Sequence, residues 1–330
     1  MKKITLFFGA ILVTATLLFV ACGKDKEKDA TINKFFRAEN ATLVSEQMPD
    51  ANSDDVISVT MNQSVIPGGS SYVSVRSDDP AKKILIGMKG QTGHYELTPS
   101  TKDNLYSFVL LVEQNITLDE GQTFFTVQVA IQEEDGDISQ IWETNVNLMT
   151  VGTGALQVSL SFDNAKDVDL HLIEPEYTDA DGDDVSFYSR HIYYGHEVAL
   201  SGGELDLDSN PGCSIDNINN ENITYSEDNA YVPAGTYKVY VDLYDNCDES
   251  IATNYVVTVF YGGNLIASRS GIFEVGAEGT YNPISEDYVE EVEPFLTFTI
   301  GNKGQKCEKN FAPVELSETA KEKEANAAHK

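Results

Sequence analysis

The feature that most constrains the fold of this chain is a series of short apolar segments with the composition of β-strands. Six of them occupy residues 56–61, 71–76, 83–88, 107–112, 124–131 and 141–148. Each is rich in β-branched or aromatic residues, and Gly, Pro, Asn or Asp separates it from the next. None has the length and 3.6-residue period of a stable helix. The spacing predicts an antiparallel immunoglobulin-like β-sandwich over residues 39–151.

A second series of strand-like segments follows Gly152-Thr-Gly154 and predicts a second sandwich over residues 155–301. Its clearest segment is 236–244, in which apolar residues alternate with a second face that includes Tyr240 and Tyr244. We expect these two tyrosines to be exposed, where they would stack on a sugar or peptide ligand or pack across strands. The predicted fold class is therefore all-β, with two tandem antiparallel β-sandwiches of immunoglobulin-like or jelly-roll-like type.

The beginning of the chain predicts export and membrane attachment. Lys2 and Lys3 precede an uncharged run that ends at Ala21-Cys22, which is typical of a secretory signal peptide over residues 1–21. The cysteine that follows resembles the lipobox of bacterial lipoproteins, in which the cysteine is lipidated and becomes the first mature residue. A transmembrane anchor is the alternative.

The segments that flank the two sandwiches are polar. Residues 22–38 carry mixed charge and are predicted to be a tether, similar to the surface-export signals of Bacteroidetes lipoproteins. We therefore expect an outer-membrane lipoprotein, exposed at the surface or facing the periplasm. Residues 302–330 are rich in Lys and Glu without an apolar face and are predicted to be a disordered tail.

The chain is strongly acidic, and this restricts its partners. Its 330 residues include 22 Lys and Arg but 53 Asp and Glu, for a formal net charge of −31. Such a surface repels nucleic acid, so the expected partner is a protein or glycan outside the cytoplasm. The carboxylates would either bind divalent cations or only keep an exported protein soluble.

Two acidic strand segments are candidate ligands for Ca²⁺. In Asp167-Val-Asp-Leu-His171 the alternation of a strand places Asp167, Asp169 and His171 on one face. In the segment 202–208 the same alternation places Asp206 and Asp208 together. Neighbouring carboxylates raise one another's pKa or recruit a cation, and Ca²⁺ accepts many oxygen ligands. The alternative is a set of solvated aspartates at exposed strand ends.

A third acidic segment resembles part of a calcium loop. Asp179, Asp181 and Asp183 alternate around Gly182, but the position that would supply a bidentate Glu in an EF-hand is Arg190. The segment is therefore either a shorter calcium loop or an acidic turn between strands.

The cysteines predict one disulfide. With Cys22 lipidated, Cys213 and Cys247 both lie in loops just after strands, whereas Cys307 lies in the polar tail. We predict a Cys213–Cys247 disulfide that stabilises the fold by about 3–4 kcal/mol, with Cys307 free. The alternative is a zinc site formed by Cys213 with His191 and His196.

Five segments of the second sandwich occur in an order that resembles a known family. They are Asp167-Val-Asp-Leu-His171, Ser201-Gly-Gly-Glu-Leu-Asp-Leu-Asp208, Glu221-Asn-Ile-Thr-Tyr225, Pro233-Ala-Gly-Thr-Tyr-Lys-Val-Tyr-Val241 and Thr253-Asn-Tyr-Val-Val-Thr-Val259. This order is similar to that of the bacterial DUF2135 (YfaP-like) family over roughly residues 155–300. The resemblance implies a β-sandwich in an exported protein of uncharacterised molecular role. Two departures are Tyr225, where Trp is frequent, and the long segment 174–190.

The sequence lacks the common signatures of catalysis. It has no Gly-x-Ser-x-Gly elbow, His-Glu-x-x-His motif or phosphate-binding glycine loop, and His171 has a neighbouring carboxylate but no visible nucleophile. The prediction is a non-catalytic binding or adhesion module of the cell envelope, ordered by Ca²⁺. The alternatives are a hydrolase or accessory protein acting on envelope glycans or peptides, and a structural subunit of a surface assembly.

Overall fold

The computed structural model describes residues 30–99, 104–227, 230–280 and 284–301 and confirms the all-β class. Within these ranges the first sandwich has ten strands: β1 Phe36–Ala38, β2 Thr42–Val44, β3 Ser58–Thr60, β4 Ser64–Val65, β5 Ser70–Arg76, β6 Ala81–Met88, β7 His94–Leu97, β8 Leu105–Val112, β9 Phe124–Glu133 and β10 Trp142–Leu148. They form one sheet in the order β1-β8-β5-β3 and another in the order β2-β7-β6-β9-β10-β4. The six predicted strand segments all lie within or next to these strands.

The second sandwich contains nine strands in the described residues: β11 Leu156–Phe162, β12 Asp167–Ile173, β13 His191–Ile192, β14 Glu204–Leu207, β15 Asn220–Tyr225, β16 Gly235–Asp245, β17 Thr253–Tyr261, β18 Asn264–Phe273 and β19 Leu296–Ile300. One sheet has the order β14-β15-β11-β17-β18, and the other has the order β13-β12-β16-β19. Short helices α1 (Phe187–Arg190) and α2 (Glu286–Glu291) cover the outer face of the second sheet, where Phe187 and Val289 pack with Ile173 and Tyr240.

Each sandwich has its own apolar core, formed by alternate residues of the strands in its two sheets. In β11 the inward residues Leu156, Val158 and Leu160 are fully buried in the second core. β11 is buried on its other face as well, where Gln157 and Ser161 form hydrogen bonds with Pro67 and Ser70 of the first sandwich. The two sandwiches therefore share a buried surface.

Hydrogen bonds and a small apolar cluster hold this shared surface together. The backbone N–H of Ser70 donates to Ser161 Oγ at 3.1 Å, and Val256 packs between Val109 and Leu111. Gln157 is central: its Nε2 donates to Pro67 O at 2.7 Å, and its Oε1 accepts from Gln114 Nε2 at 2.9 Å. A buried polar network of this kind stabilises the native arrangement only when its members are all paired.

We expect Gln157→Ala to lower the free energy of unfolding by about 1–3 kcal/mol, because Gln114 and Pro67 O lose a partner in a buried site. Chemical unfolding followed by Trp142 fluorescence, which reports the first sandwich, and by near-ultraviolet circular dichroism of the tyrosines measures both units. Thr126→Ala removes an exposed side-chain hydrogen bond to Asn145 and serves as the control. An unchanged unfolding curve for Gln157→Ala would contradict the structural importance of the shared surface.

The predicted tether ends earlier than the sequence suggested. Residues 30–38 belong to the first sandwich: Ile32 lies in a 3₁₀ turn, Phe36 lies in β1, and both are fully buried. The prediction of a tether up to residue 38 is wrong because Ile32 and Phe36, apolar residues within this charged segment, provide a core contact and a strand. The signal peptide, Cys22, Cys307 and the predicted tail 302–330 lie outside the described residues. Within the ranges that are described, no helix has the length and apolar character needed to cross a membrane.

Candidate metal centre

The face of β12 that carries its polar residues is buried rather than open to solvent. Asp167, Asp169 and His171 share this face, as the alternation predicted, but Asp169 is only 3% exposed and His171 is fully buried. The segment after β13 folds back over them, and Tyr193 stacks on His171 with ring centroids 5.3 Å apart. The alternative of solvated aspartates at an exposed strand end is therefore wrong for β12, because the segment after β13 covers them.

Three carboxylates from different strands meet beside β12. Ligand oxygens of Asp169, Asp208 and Glu221 all lie within 4.8 Å of one another. Glu221 lies in β15, turns into the sandwich and accepts the backbone N–H of Leu170 through Oε2 at 2.6 Å. We call Asp169, Asp208 and Glu221 the carboxylate trio.

Two oxygens of the trio have no hydrogen-bond partner. They are Asp169 Oδ2 and Glu221 Oε1, and both are buried within residues that are at most 3% exposed. Buried polar atoms almost always have a partner, and no N–H or O–H group of the described residues donates to these two oxygens. The Glu221 carboxyl lies within hydrogen-bonding reach of the Asp208 carboxyl, which is favourable only with a shared proton or a cation. Asp208 is exposed and connects the trio with solvent. The geometry suits an ion that enters from outside.

The trio is electrostatically uncompensated. Burial, followed by the charges of Asp167, Asp208 and Asp242, raises the pKa of Asp169 to about 8. Burial also raises the pKa of Glu221 well above its usual range, with Asp169 and Asp208 adding to the effect. Ion pairs within 4.0 Å among the described residues all lie in the first sandwich. The trio therefore requires either protons or a cation to offset its charge.

Lys166, the nearest buried cation along the chain, is directed away from the trio. Its Nζ donates to Asn246 Oδ1 at 2.5 Å and to Ile251 O at 2.7 Å. Its side chain is fully buried, and burial lowers its pKa. Lys166 therefore fixes the loop after β16 and forms no ion pair with the carboxylates.

Asp208 is held in place by the loop that follows it. Asn210 is fully buried and donates through Nδ2 to Lys166 O at 3.0 Å, and Gly212 N–H donates to Asp167 Oδ2 at 2.7 Å. A disulfide joins Cys213 to Cys247, with the Cα atoms 5.7 Å apart. The predicted disulfide is confirmed.

The disulfide excludes the alternative zinc site at Cys213. Because the sulfur of Cys213 is bonded to Cys247, it is not available to a metal, and the interpretation of Cys213, His191 and His196 as zinc ligands is wrong. His196 instead uses Nδ1 for a hydrogen bond to the backbone oxygen of His191 at 2.8 Å.

Asp206 is separated from Asp208 by a bulge. Leu205 pairs with Ile223 and Leu207 with Asn222, so Asp206 is an extra residue on its strand. Its carboxylate accepts from Asn222 Nδ2 at 2.6 Å and from Gly152 N–H, which ties the connection between the sandwiches to β15. The predicted common face of Asp206 and Asp208 is wrong because a bulge reverses the alternation.

Two candidate ligands escaped the sequence analysis. Glu221 lies on the same face of its strand as the core residues Ile223 and Tyr225. A charged residue at an inward position is rare, so this position could have identified Glu221 as a candidate ligand from the sequence. Asp242 faces Asp169 across the β12–β16 pair, a register that no sequence pattern predicts. Asp167 is close enough to the trio for its charge to act on Asp169, but its Oδ2 accepts a hydrogen bond from Gly212 N–H.

The remaining candidates are apart from the trio. Asp179 Oδ1 accepts the N–H groups of Asp181 and Asp183 at 2.9 and 3.0 Å, which forms an acidic turn around Gly182. The exposed position expected for Tyr240 is wrong: it is 3% exposed because α2 covers it, and its hydroxyl donates to Val289 O at 3.3 Å. Tyr244 is half-buried and meets Tyr194 edge to face at 5.3 Å.

A buried glutamate at the end of β12 predicts a pH-dependent stability. Glu174 accepts hydrogen bonds from Tyr225 OH at 2.7 Å and from Ser201 Oγ, and burial raises its pKa to about 7. The folded state therefore holds a proton between about pH 4.5 and 7 that the unfolded state releases. The free energy of unfolding falls as the pH rises through this window, by up to about 3 kcal/mol from this group.

Glu174→Gln retains an acceptor for both hydroxyls and removes the titration. We expect the variant to match the wild type near pH 4 and to be more stable above pH 7, measured by urea unfolding in Ca²⁺. The neighbouring titratable groups, which both proteins share, are Arg190, Tyr177, Tyr225, Tyr231 and Tyr237. Parallel stability curves for the two proteins from pH 4 to 8 would show that Glu174 does not titrate in this range.

The fold and the site together define a protein of two packed β-sandwiches with a buried carboxylate cluster in the second one. No protein-family model matches the chain, and no curated protein matches it. Among solved structures, the chain is similar to the major pilin subunit BcpA of Bacillus cereus, with 11% identity and a TM-score of 0.20 over 57% of this chain. The match spans only 59% of the pilin chain, and at this similarity nothing about function follows from it. The resemblance to DUF2135 stays a prediction.

Proposed function

We propose that this chain is a non-catalytic binding module of the cell envelope, anchored through lipid on Cys22, whose second sandwich is ordered by Ca²⁺ at the carboxylate trio. The observation that carries the proposal is the pair of buried, unpartnered oxygens, Asp169 Oδ2 and Glu221 Oε1, opposite the exposed Asp208. Ca²⁺–oxygen distances are about 2.3–2.6 Å, so opposite ligands lie about 5 Å apart. The ligand oxygens of the trio all lie within 4.8 Å of one another, which is close enough for one Ca²⁺ to contact all three carboxylates.

The burial of the acidic and imidazole groups favours a structural role over hydrolysis. A hydrolase of envelope polymers requires an acid pair that a polymer can reach. Asp169 and His171 are buried under the segment that follows β13, and Glu221 is buried inside the sandwich. These groups can hold an ion, but a glycan or peptide chain has no access to them.

Calcium would act on the loop that carries Asp208. The trio joins β12, the end of β14 and β15, so an ion there connects both sheets of the second sandwich at their common edge. In an exported protein this makes the folded surface dependent on external Ca²⁺. The partner, a protein or glycan outside the cytoplasm, would then bind a surface that Ca²⁺ keeps ordered.

Thermal unfolding of the mature chain with Cys22→Ser, which prevents lipidation, tests the proposal. We expect Ca²⁺ at about 100 times its dissociation constant to stabilise the protein by about 2.7 kcal/mol relative to excess chelator. Glu221→Gln should abolish this response. Asp206→Asn, a matched change at a carboxylate outside the trio, should retain it. An identical midpoint of the unmodified protein in Ca²⁺ and in chelator would contradict the proposal.

A further inference from the structure

A second set of ligand atoms lies directly beside the carboxylate trio and includes a nitrogen. Ligand atoms of Asp169, His171 and Asp242 lie within 4.8 Å of one another. Asp169 belongs to both sets. His171 is fully buried, and Asp242 is 9% exposed. The two sets of ligand atoms therefore adjoin each other and share the carboxylate of Asp169.

The imidazole of His171 is the independent observation at this position. Its Nε2 is buried without a hydrogen-bond partner, and a ring nitrogen of His171 lies within 4.8 Å of carboxylate oxygens of Asp169 and Asp242. A buried ring nitrogen without a partner is unusual, because an imidazole in the core normally satisfies both nitrogens. Nε2 is therefore the nitrogen of His171 that is left to bind a metal.

The other ring nitrogen of His171 is fixed in the way that metal-binding histidines require. Nδ1 of His171 lies 3.0 Å from Nε2 of His191, and the ring of Tyr193 stacks on both imidazoles. When Nδ1–H of His171 donates to His191, the lone pair of His171 lies on Nε2. A hydrogen bond to the second nitrogen orients a metal-bound imidazole and sets its tautomer.

The charge of the combined pocket agrees with two ions rather than one. Asp169, Asp208, Glu221 and Asp242 carry a formal charge of −4 when ionised. One divalent cation at the trio leaves two negative charges in a buried environment, whereas two divalent cations neutralise all four. No neighbouring lysine or arginine contributes, since the ion pairs of the described residues lie in the other sandwich.

We propose that the second sandwich holds two divalent cations bridged by Asp169, with Ca²⁺ at Asp208 and Glu221 and a first-row transition metal such as Zn²⁺ at His171 and Asp242. The inference rests on the proposed function for the first ion and adds the second. Imidazole nitrogen selects transition metals over Ca²⁺, which prefers oxygen. Zinc binds imidazole nitrogen and carboxylate oxygen at about 2.0–2.2 Å, and the ligand atoms of Asp169, His171 and Asp242 lie within 4.8 Å of one another, close enough to reach one ion. A shared carboxylate holds two metals about 3.5–4 Å apart.

Nitrogen spectra of the histidines test the second ion separately from the first. The mature Cys22→Ser chain is labelled with ¹⁵N-histidine, stripped with chelator, and titrated with Ca²⁺ and Zn²⁺ in either order. We expect Zn²⁺ to shift the Nε2 resonance of one histidine, assigned to His171 by its loss in His171→Gln, and Ca²⁺ to leave it in place. Metal content after desalting should be one Ca²⁺ and one Zn²⁺ per chain.

Two conservative variants separate the ions. Asp242→Asn should weaken Zn²⁺ binding by at least about 100-fold, beyond the 10–100-fold typical of an outer-shell loss, and retain the Ca²⁺ response of the unfolding midpoint. Glu221→Gln should lose the Ca²⁺ response and retain the Zn²⁺ shift of His171 Nε2. Asp206→Asn is the control and should retain both.

The possible failures are distinguishable. If Ca²⁺ raises the unfolding midpoint but Zn²⁺ shifts no histidine nitrogen, the second ion is refuted and the proposed function stands. If Zn²⁺ shifts His171 Nε2 and Ca²⁺ has no effect, the calcium site and the shared bridge are refuted, and a single transition-metal site remains. If neither ion has an effect, both proposals are refuted.

Discussion

Removal of the disulfide by Cys213→Ala with Cys247→Ala is expected to lower the free energy of unfolding by about 3–4 kcal/mol. The two cysteines are 34 residues apart, and the chain-entropy model gives this value for a closed loop of that length. For a domain of about 150–250 residues each kcal/mol shifts the midpoint by about 2–4 °C, so the midpoint should fall by about 10 °C. Chemical unfolding with and without Ca²⁺ measures both the stability and its dependence on the ion.

The same variant should bind Ca²⁺ more weakly, because the disulfide holds the loop that follows Asp208. Cys213 ends the 3₁₀ turn Pro211–Cys213, in which Gly212 N–H contacts Asp167. Cys307→Ala is the matched control and should change neither property. If the double variant keeps the stability of the wild type, the disulfide contributes nothing beyond what the loop hydrogen bonds supply.

Glu221→Gln is expected to raise the free energy of unfolding relative to the wild type in chelator, and to lower it relative to the wild type in Ca²⁺. In chelator at neutral pH the variant should be more stable than the wild type by about 1–3 kcal/mol, because burial raises the pKa of Glu221 and obliges it to take up a proton on folding, whereas Gln needs none and still accepts Leu170 N–H. In Ca²⁺ the wild type gains the binding energy of the ion and the variant does not. Urea unfolding of both proteins in each condition measures the two differences.

Asp245→Asn provides a comparison for this reversal, since Asp245 ends β16 and pairs with Asp167 of β12 but lies outside the trio. Its effect on stability should have the same sign in both conditions. A loss of stability for Glu221→Gln in chelator would show that the Glu221 carboxyl makes a hydrogen bond that Gln cannot replace, and would contradict the predicted reversal.

The fold was predictable from the sequence because strand alternation is a local signal. Segments such as 107–112 and 236–244 lie within β8 and β16, where inward residues repeat every second position. The short strands β2 and β4 were missed because two or three residues carry no period. Residues 30–38 were assigned to the tether because charged neighbours obscured Ile32 and Phe36, whose burial depends on distant strands.

The candidate site was only partly predictable, because it depends on register and on a covering loop. Asp169 and Asp208 were identified from alternation, and both are in the trio. Asp206 was misplaced because a bulge is set by pairing with β15 and leaves no mark in the local pattern. Predicting Asp242 as a ligand required knowledge of the pairing of β12 with β16. Predicting the burial of His171 required knowledge of the path of the segment after β13.

Direct calorimetric titration of Ca²⁺ into the metal-stripped mature chain with Cys22→Ser tests the central claim most directly. The account predicts saturable binding of one Ca²⁺ per chain, lost in Glu221→Gln and in Asp169→Asn and retained in Asp206→Asn. Absence of saturable binding to the wild type, or binding that survives both trio substitutions, would contradict the assignment of Asp169, Asp208 and Glu221 as a calcium site.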